Sequence, residues 1–192
     1  MTNAHEVNTA SAIAAVTARI RELTRRPGLP VLVGIDGRSG AGKTSFAAQL
    51  EHEIGNSSSF EVENHIAGWH GLTAGISNVA TIVADIRREG HTRAPIWDWE
   101  HNMWGPHVAI PERSDSDVVF VVGCGSTSAQ IRPHLDLSVW LDVPESVRKA
   151  RVRARDPYDW SDYWDAWAAQ EAELLDACPS HLNADVIVRS SL

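Results

Sequence analysis

The sequence predicts an α/β fold, three layers around a central parallel five-stranded sheet. Three observations carry that expectation. Short apolar runs recur at residues 30–35, 118–122 and 137–143, nearly continuous, as strands buried on both faces should read. Helical periodicity separates these runs from one another, the alternation expected of a parallel sheet. A glycine-rich turn joins the first run directly to a helix. Strands alternating with helices leave a sheet covered on both faces.

The elements follow in order. Ile13, Val16, Ile20 and Leu23 recur at three- and four-residue spacing, which predicts an amphipathic helix over about 9–26, stopped by Pro27-Gly28. Residues 30–35 form the first strand, and a helix runs from the glycine-rich turn to Gly55. Residues 56–59, three of them serine, read as a surface turn, and 60–63 as a short second strand. A loop through Gly75 precedes a helix over 79–88, stopped by Gly90. The stretch 91–111 is dense in Trp, Pro and His, shows neither period, and reads as an irregular cover over a site. Residues 118–122 and 137–143 are further strands, and Pro144 opens a helix to about Arg155, proline being suited to a first turn. A long helix covers about 161–177, where Trp160, Trp164, Trp167 and Leu174 make a core stripe. Residues 185–188 supply the final strand.

At 192 residues the chain is expected to form one domain, 1–192, with a core that needs no disulfide or structural metal. The net charge of −8, from 17 basic and 25 acidic residues, argues against general affinity for nucleic acid or acidic membranes. Cys124 and Cys178 are too few for a disulfide framework and read as buried free thiols in a reducing compartment. Residues 1–18 lack the pattern of a signal peptide, and no apolar run approaches the roughly 18 residues of a membrane span. A cytoplasmic protein is expected.

The chemistry centres on Gly37-Arg38-Ser39-Gly40-Ala41-Gly42-Lys43-Thr44, which fits G-x-x-x-x-G-K-[ST] at every position. Glycines let the backbone fold tightly, so that successive N–H groups point inward at a polyphosphate. Lys43 brings a positive charge to the β/γ-phosphates, and the Thr44 hydroxyl can hold Mg²⁺. The expected ATP-binding set is therefore Gly37, Ser39, Gly40, Ala41, Gly42, Lys43, Thr44 and Ser45. Asp36, just before the loop, can serve Mg²⁺ or act as a base, or it can cap the loop by accepting backbone N–H groups. The histidines are scattered, which argues against a zinc site.

Further motifs stand in order along the chain. They are Gly68-Trp69-His70-Gly71-Leu72, Trp97-Asp98-Trp99-Glu100, Pro133-His134-Leu135-Asp136 before Trp140-Leu141-Asp142-Val143-Pro144, Arg151 to Asp156, and Trp164-x-x-Trp167-x-x-x-Glu171. With the P-loop, they make the chain resemble the P-loop nucleoside and small-molecule kinases. The likeness is greatest to the uridine kinase and phosphoribulokinase group and its short bacterial uridine-kinase-like members. The resemblance implies a P-loop NTPase fold with a small arginine-bearing lid at about 148–160, whose Arg151 and Arg155 cover the phosphates; Arg148 and Arg153 lie in the same region. It implies ATP- and Mg²⁺-dependent phosphoryl transfer to a small hydroxyl acceptor, a nucleoside such as uridine or cytidine first. The alternatives are a kinase for a non-nucleoside metabolite or antibiotic, and a nucleotide-binding protein without phosphotransfer.

Two departures from that group bear on catalysis. Its members carry an Asp at the end of the second strand, thought to take the acceptor proton; here the text is Glu63-Asn64-His65-Ile66, with Glu63 the expected base. Its third strand in the sequence ends in an acidic residue, where this chain has Val122. His65, Trp69, Arg93, Trp97, Asp98 and Trp99 form the expected acceptor site, an aromatic wall with a few charges.

Overall fold

The computed structural model describes residues 9–155 and 161–189. Helix α1 (Thr9–Glu22) leads into β1 (Val31–Asp36), the glycine-rich loop and α2 (Lys43–Ile54). Strand β2 (Ser57–Glu61) follows, then a short 3-10 helix (Val62–His65) and the long α3 (Leu72–Glu89). A pair of strands, β3 (Thr92–Asp98) and β4 (Met103–Ile110), precedes β5 (Val118–Val122) and β6 (Leu137–Asp142). Helices α4 (Glu145–Arg155), α5 (Ser161–Ala177) and α6 (Ser180–Asn183) and strand β7 (Val186–Arg189) complete the order.

The main sheet is the expected one, five strands in the order β2-β5-β1-β6-β7, with every pairing parallel. Its apolar runs are explained by burial on both faces. In β5, Val118, Phe120 and Val122 enter one core with α1 and α2, while Val119 and Val121 enter the other with α3. Strand β1 divides likewise, Val31, Val33 and Ile35 against Leu32. Helix α3 fills the second core with Leu72, Ile76, Val79, Val83 and Ile86, a stripe at helical spacing.

Four expectations change. Helix α1 ends at Glu22 rather than near Arg26, and Arg26 instead pairs with Leu29 around Pro27-Gly28; a residue before proline is pushed out of helical geometry. Residues 57–59 are strand, not a surface turn. Ser57 and Ser58 are buried, and Ser58 shares a 2.6 Å hydrogen bond with Ser116 Oγ, so the hydroxyl need not face water. Helix α3 starts seven residues early, at Leu72, because Gly75 is a packing residue within it. A Cβ there would stand 2.6 Å from the Ile66 side chain.

The largest change is at 91–111, where an antiparallel hairpin replaces the expected irregular cover. Its register shifts between Pro95 and Trp97, and both strands carry a proline, which together hide the alternation.

Arg87 of α3 grips Asp136 with two hydrogen bonds, 2.8 and 2.6 Å, while Asp136 also accepts the Leu32 N–H at 2.9 Å. This ties α3 to both β1 and the entry of β6, and the two side chains are only 17 and 18% exposed. Asp136→Ala is expected to cost about 2–4 kcal/mol, since it strands a shielded guanidinium and a backbone donor. Urea unfolding measures that cost, and a change under about 0.5 kcal/mol would contradict the role given to this pair.

Candidate active site

The loop between β1 and α2 sits at the carboxyl end of the sheet, where parallel α/β folds place their ligands. Asp36 closes β1 and is 3% exposed. One of its oxygens accepts the N–H groups of Gly37 (2.7 Å) and Gly125 (3.0 Å); the other accepts the Thr127 N–H (2.9 Å) and hydroxyl (2.7 Å). Burial pushes its carboxyl above the ordinary range, and the bonds from Thr127 and Gly37 act against that. Of the readings open to Asp36, the geometry is that of the cap: its oxygens brace the loop against the chain after β5.

Lys43 opens α2 and is nearly buried. Its Nζ donates to Gly37 O (2.9 Å), more loosely to Arg38 O (3.4 Å), and to Cys124 Sγ (3.2 Å). Burial works against its charge. The carboxylates of Glu63, Glu171 and Asp36 around it act in its favour, and its pKa stands above the usual lysine value. The ammonium is therefore held ready for an anion. Cys124 itself is buried and free, and burial raises its pKa well above that of an ordinary thiol.

Two glutamates converge beside these groups. Thr44 Oγ1 donates to Glu61 Oε1 at 3.1 Å, and the Cys124 N–H donates to Glu63 Oε1 at 2.9 Å. Glu63 lies so close over Gly123, whose φ is +150°, that any side chain there would strike its carboxylate. The end of β5 thus has an acidic group after all. Val122 is apolar core, and the carboxylate arrives from the 3-10 helix after β2. A glutamate and a threonine hydroxyl side by side are hard oxygen donors of the kind Mg²⁺ uses together with phosphate oxygens. Among the described residues no group of three or more His, Cys, Asp or Glu could hold a metal.

The arginines of α4 lie over the loop. Arg148, buried, donates to Val143 O (3.1 Å) and Ser39 O (2.9 Å), and Arg151 donates to Ala41 O (3.3 Å). Arg153 and Arg155 are exposed on the same helix, and the rest of the expected lid, residues 156–160 with Trp160, lies outside the described residues. Trp164 is buried beneath the charged ends of Arg148 and Lys149, 5.6 and 5.3 Å from its ring centroid.

The expected acceptor residues separate into two groups. Trp69 and Trp99 gather against α5: Trp69 stacks on Tyr163 at 4.9 Å and meets Trp99 and Trp167 edge-on at 5.0 and 5.9 Å. Trp97 packs on Trp104 within the hairpin. His65, Arg93 and Asp98 spend their polar atoms on the hairpin itself. His65 Nδ1 bonds Pro95 O at 2.9 Å, Arg93 donates to His107 O at 2.7 Å, and Asp98 accepts the N–H groups of Glu100 and His101 to close the turn. His70 is exposed.

Burial lowers the His65 pKa, so the folded protein keeps this ring neutral while the unfolded chain takes up a proton below about 6.5. The unfolded state then binds more protons, and His65 costs stability as the pH falls below that value. Between pH 7 and 5.5 the urea midpoint of the natural protein is expected to fall further than that of His65→Gln; equal shifts would contradict this.

Residues that the sequence did not assign to the phosphate loop stand at it: Glu61, Cys124 and Glu171, together with Arg148, which was expected only as part of the lid region. Glu171 Oε1 accepts the Ser39 N–H at 2.7 Å and the Cys124 thiol at 3.2 Å. Its only signal was its place at the end of the Trp-x-x-Trp pattern.

No protein-family model matches the sequence. Among solved structures, the chain superposes on a possible uridine kinase from Bacillus stearothermophilus with a TM-score of 0.66, at 21% identity, over 92% of this chain and 96% of that one. It also superposes on a candidate fructose transport system kinase from Silicibacter sp. TM1040, with a TM-score of 0.58 at 16% identity, over 94 and 98%. The fold is that of the P-loop kinases. The expected α/β architecture and the uridine-kinase-like resemblance both agree with it. No helix among the described residues is long and apolar enough to cross a membrane.

Proposed function

We propose that this protein is a cytoplasmic phosphotransferase that moves the γ-phosphoryl group of ATP, with Mg²⁺, to a hydroxyl of a small acceptor, a nucleoside such as uridine or cytidine first. The observation that carries the reading is the meeting of Lys43 and Thr44 with Glu61 and Glu63 at the ends of β2 and β5. The loop from Gly37 through Ser39, Gly40, Ala41 and Gly42 to Ser45 takes the phosphates on its N–H groups. Thr44 and Glu61 fit Mg²⁺, which would supply charge neutralisation on the phosphate oxygens. The likeness to a possible uridine kinase supports a nucleoside acceptor.

In the reaction, Glu63 accepts the acceptor hydroxyl proton while the new O–P bond forms and the bond from the γ-phosphorus to the leaving ADP oxygen breaks. Lys43 moves from Gly37 O onto the phosphates. Arg151, with Arg155 farther along α4, neutralises charge on the transferred group. Asp36 holds the loop rather than a metal or a proton. Trp69, Trp97 and Trp99 form the aromatic side facing the acceptor, and His65, Arg93 and Asp98 keep the hairpin that carries two of them in shape. The single domain spans 1–192.

The second reading, nucleotide binding without transfer, is favoured by the apolar Val122 at the end of β5. Incubation with γ-labelled Mg-ATP and a panel of nucleosides, nucleoside monophosphates and small alcohols separates the two. Label is expected on one acceptor class. ATP binding with no labelled acceptor would overturn the kinase reading in favour of the second.

A further inference from the structure

We propose that Glu171 fills the phosphate cradle from within, and that a polyphosphate must displace it, so that nucleotide binding releases α5 from the loop. The inference rests on the nucleotide reading of the loop and adds to it a competing internal anion.

The Ser39 N–H, one of the loop donors expected to face a phosphate, is already taken at 2.7 Å by the Glu171 carboxylate. That contact joins a residue of the loop to one 132 positions later in the chain. The same oxygen accepts the Cys124 thiol, and Cys124 Sγ in turn accepts from Lys43 Nζ. Lys43 meanwhile bonds Gly37 O and Arg38 O. One neutral donor of the cradle, the Ser39 N–H, and its cation, Lys43, are thus engaged by groups of the protein.

Glu171 is 5% exposed, and a carboxylate that deeply shielded has to find donors. One of the donors it finds, the Ser39 N–H, is a donor the loop is expected to offer an incoming anion. Two anions cannot share it, because like charges at such range in a shielded site repel strongly.

Helix α5 is placed to respond. It follows the expected lid directly, and Trp164 on it lies under Arg148, which itself donates to Ser39 O. Ala172, Leu175 and Asp176, on the turn after Glu171, border a cavity of about 330 Å³ that Arg38 and His181 also line. Glu171 itself lines a much tighter space of about 10 Å³ with Asp36, Arg38 and Cys124, so its carboxylate leaves the loop only as α5 shifts toward the open side. The tryptophan contacts of Trp167 with Trp69 and Trp99 then loosen in step.

An internal occupant lowers apparent affinity by the fraction of molecules whose cradle is open. Calorimetric titration of the full chain with inorganic tripolyphosphate and Mg²⁺ tests this with the natural protein, Glu171→Gln and Glu171→Ala. Both variants are expected to bind about tenfold more tightly, as for a cradle occupied about nine-tenths of the time. Measurable binding that is equal or weaker in Glu171→Ala would overturn the proposal, because it would make the carboxylate a brace; the nucleotide reading would survive. Absence of binding to all three proteins would overturn both.

Hydrogen exchange in the natural protein supplies the second test, independent of how the variants fold. Amides of residues 165–175 are expected to exchange faster when tripolyphosphate is added. Unchanged or slower exchange there, with the loop protected, would overturn the displacement.

Discussion

Lys43→Ala is expected to lower phosphoryl transfer by about 10²–10³-fold or more while the sheet and helices remain formed. The ammonium stands among Gly37 O, Arg38 O and Cys124 Sγ, with the carboxylates of Glu63, Glu171 and Asp36 keeping it charged. It is the only lysine of the loop, and alanine offers no charge to the β/γ-phosphates. Label transfer to the acceptor reads the rate, and far-ultraviolet circular dichroism reads the fold. Transfer within tenfold of the natural protein would remove the loop from the mechanism.

Glu63→Gln is expected to cut kcat by about 10²–10⁴-fold with little change in Mg-ATP affinity, the result for loss of a general base. Glutamine keeps the length and can still accept the Cys124 N–H, so the local geometry at Gly123 is preserved. Glu61→Gln serves as the contrast. Its carboxylate is bonded to Thr44 rather than to the chain after β5, so its loss is expected to raise the Mg²⁺ concentration needed for half-maximal rate. An unchanged kcat in Glu63→Gln would move the base elsewhere. A shift in metal requirement in that variant, and not in Glu61→Gln, would exchange the two roles.

The parts of the fold legible in the sequence were those where one physical signal dominates. Val118–Val122 and Ser161–Ala177 read correctly to the residue, because a strand buried on both faces and a helix with a heavy aromatic stripe leave little room for another structure. The β3–β4 hairpin did not read, since Pro95, Pro106 and the register shift erase its alternation. Strand β2 was displaced because buried serines look like a turn until Ser116 appears as a partner.

At the site, the loop was legible because its chemistry lies in eight consecutive residues. The rest of the cluster is assembled from distant segments. Glu171 reaches Ser39, and Thr127 reaches Asp36, only because α5 and the turn after β5 fold back over the loop. Glu61 and Glu63 lie two residues apart on either side of the end of β2, and local sequence does not say which faces Thr44. Arg93 and Asp98 looked like ligand charges, yet hairpin geometry employs them; a charged residue beside a tryptophan carries no sign of which it will do.

The most direct test of the central claim is equilibrium binding of Mg-ATP to the natural protein and to Lys43→Ala by titration calorimetry. One nucleotide per chain is expected, Mg²⁺-dependent, with affinity at least about tenfold weaker in the variant, equivalent to about 1.4 kcal/mol. No binding to the natural protein, or equal binding to the two, would show that this loop does not hold a nucleoside triphosphate.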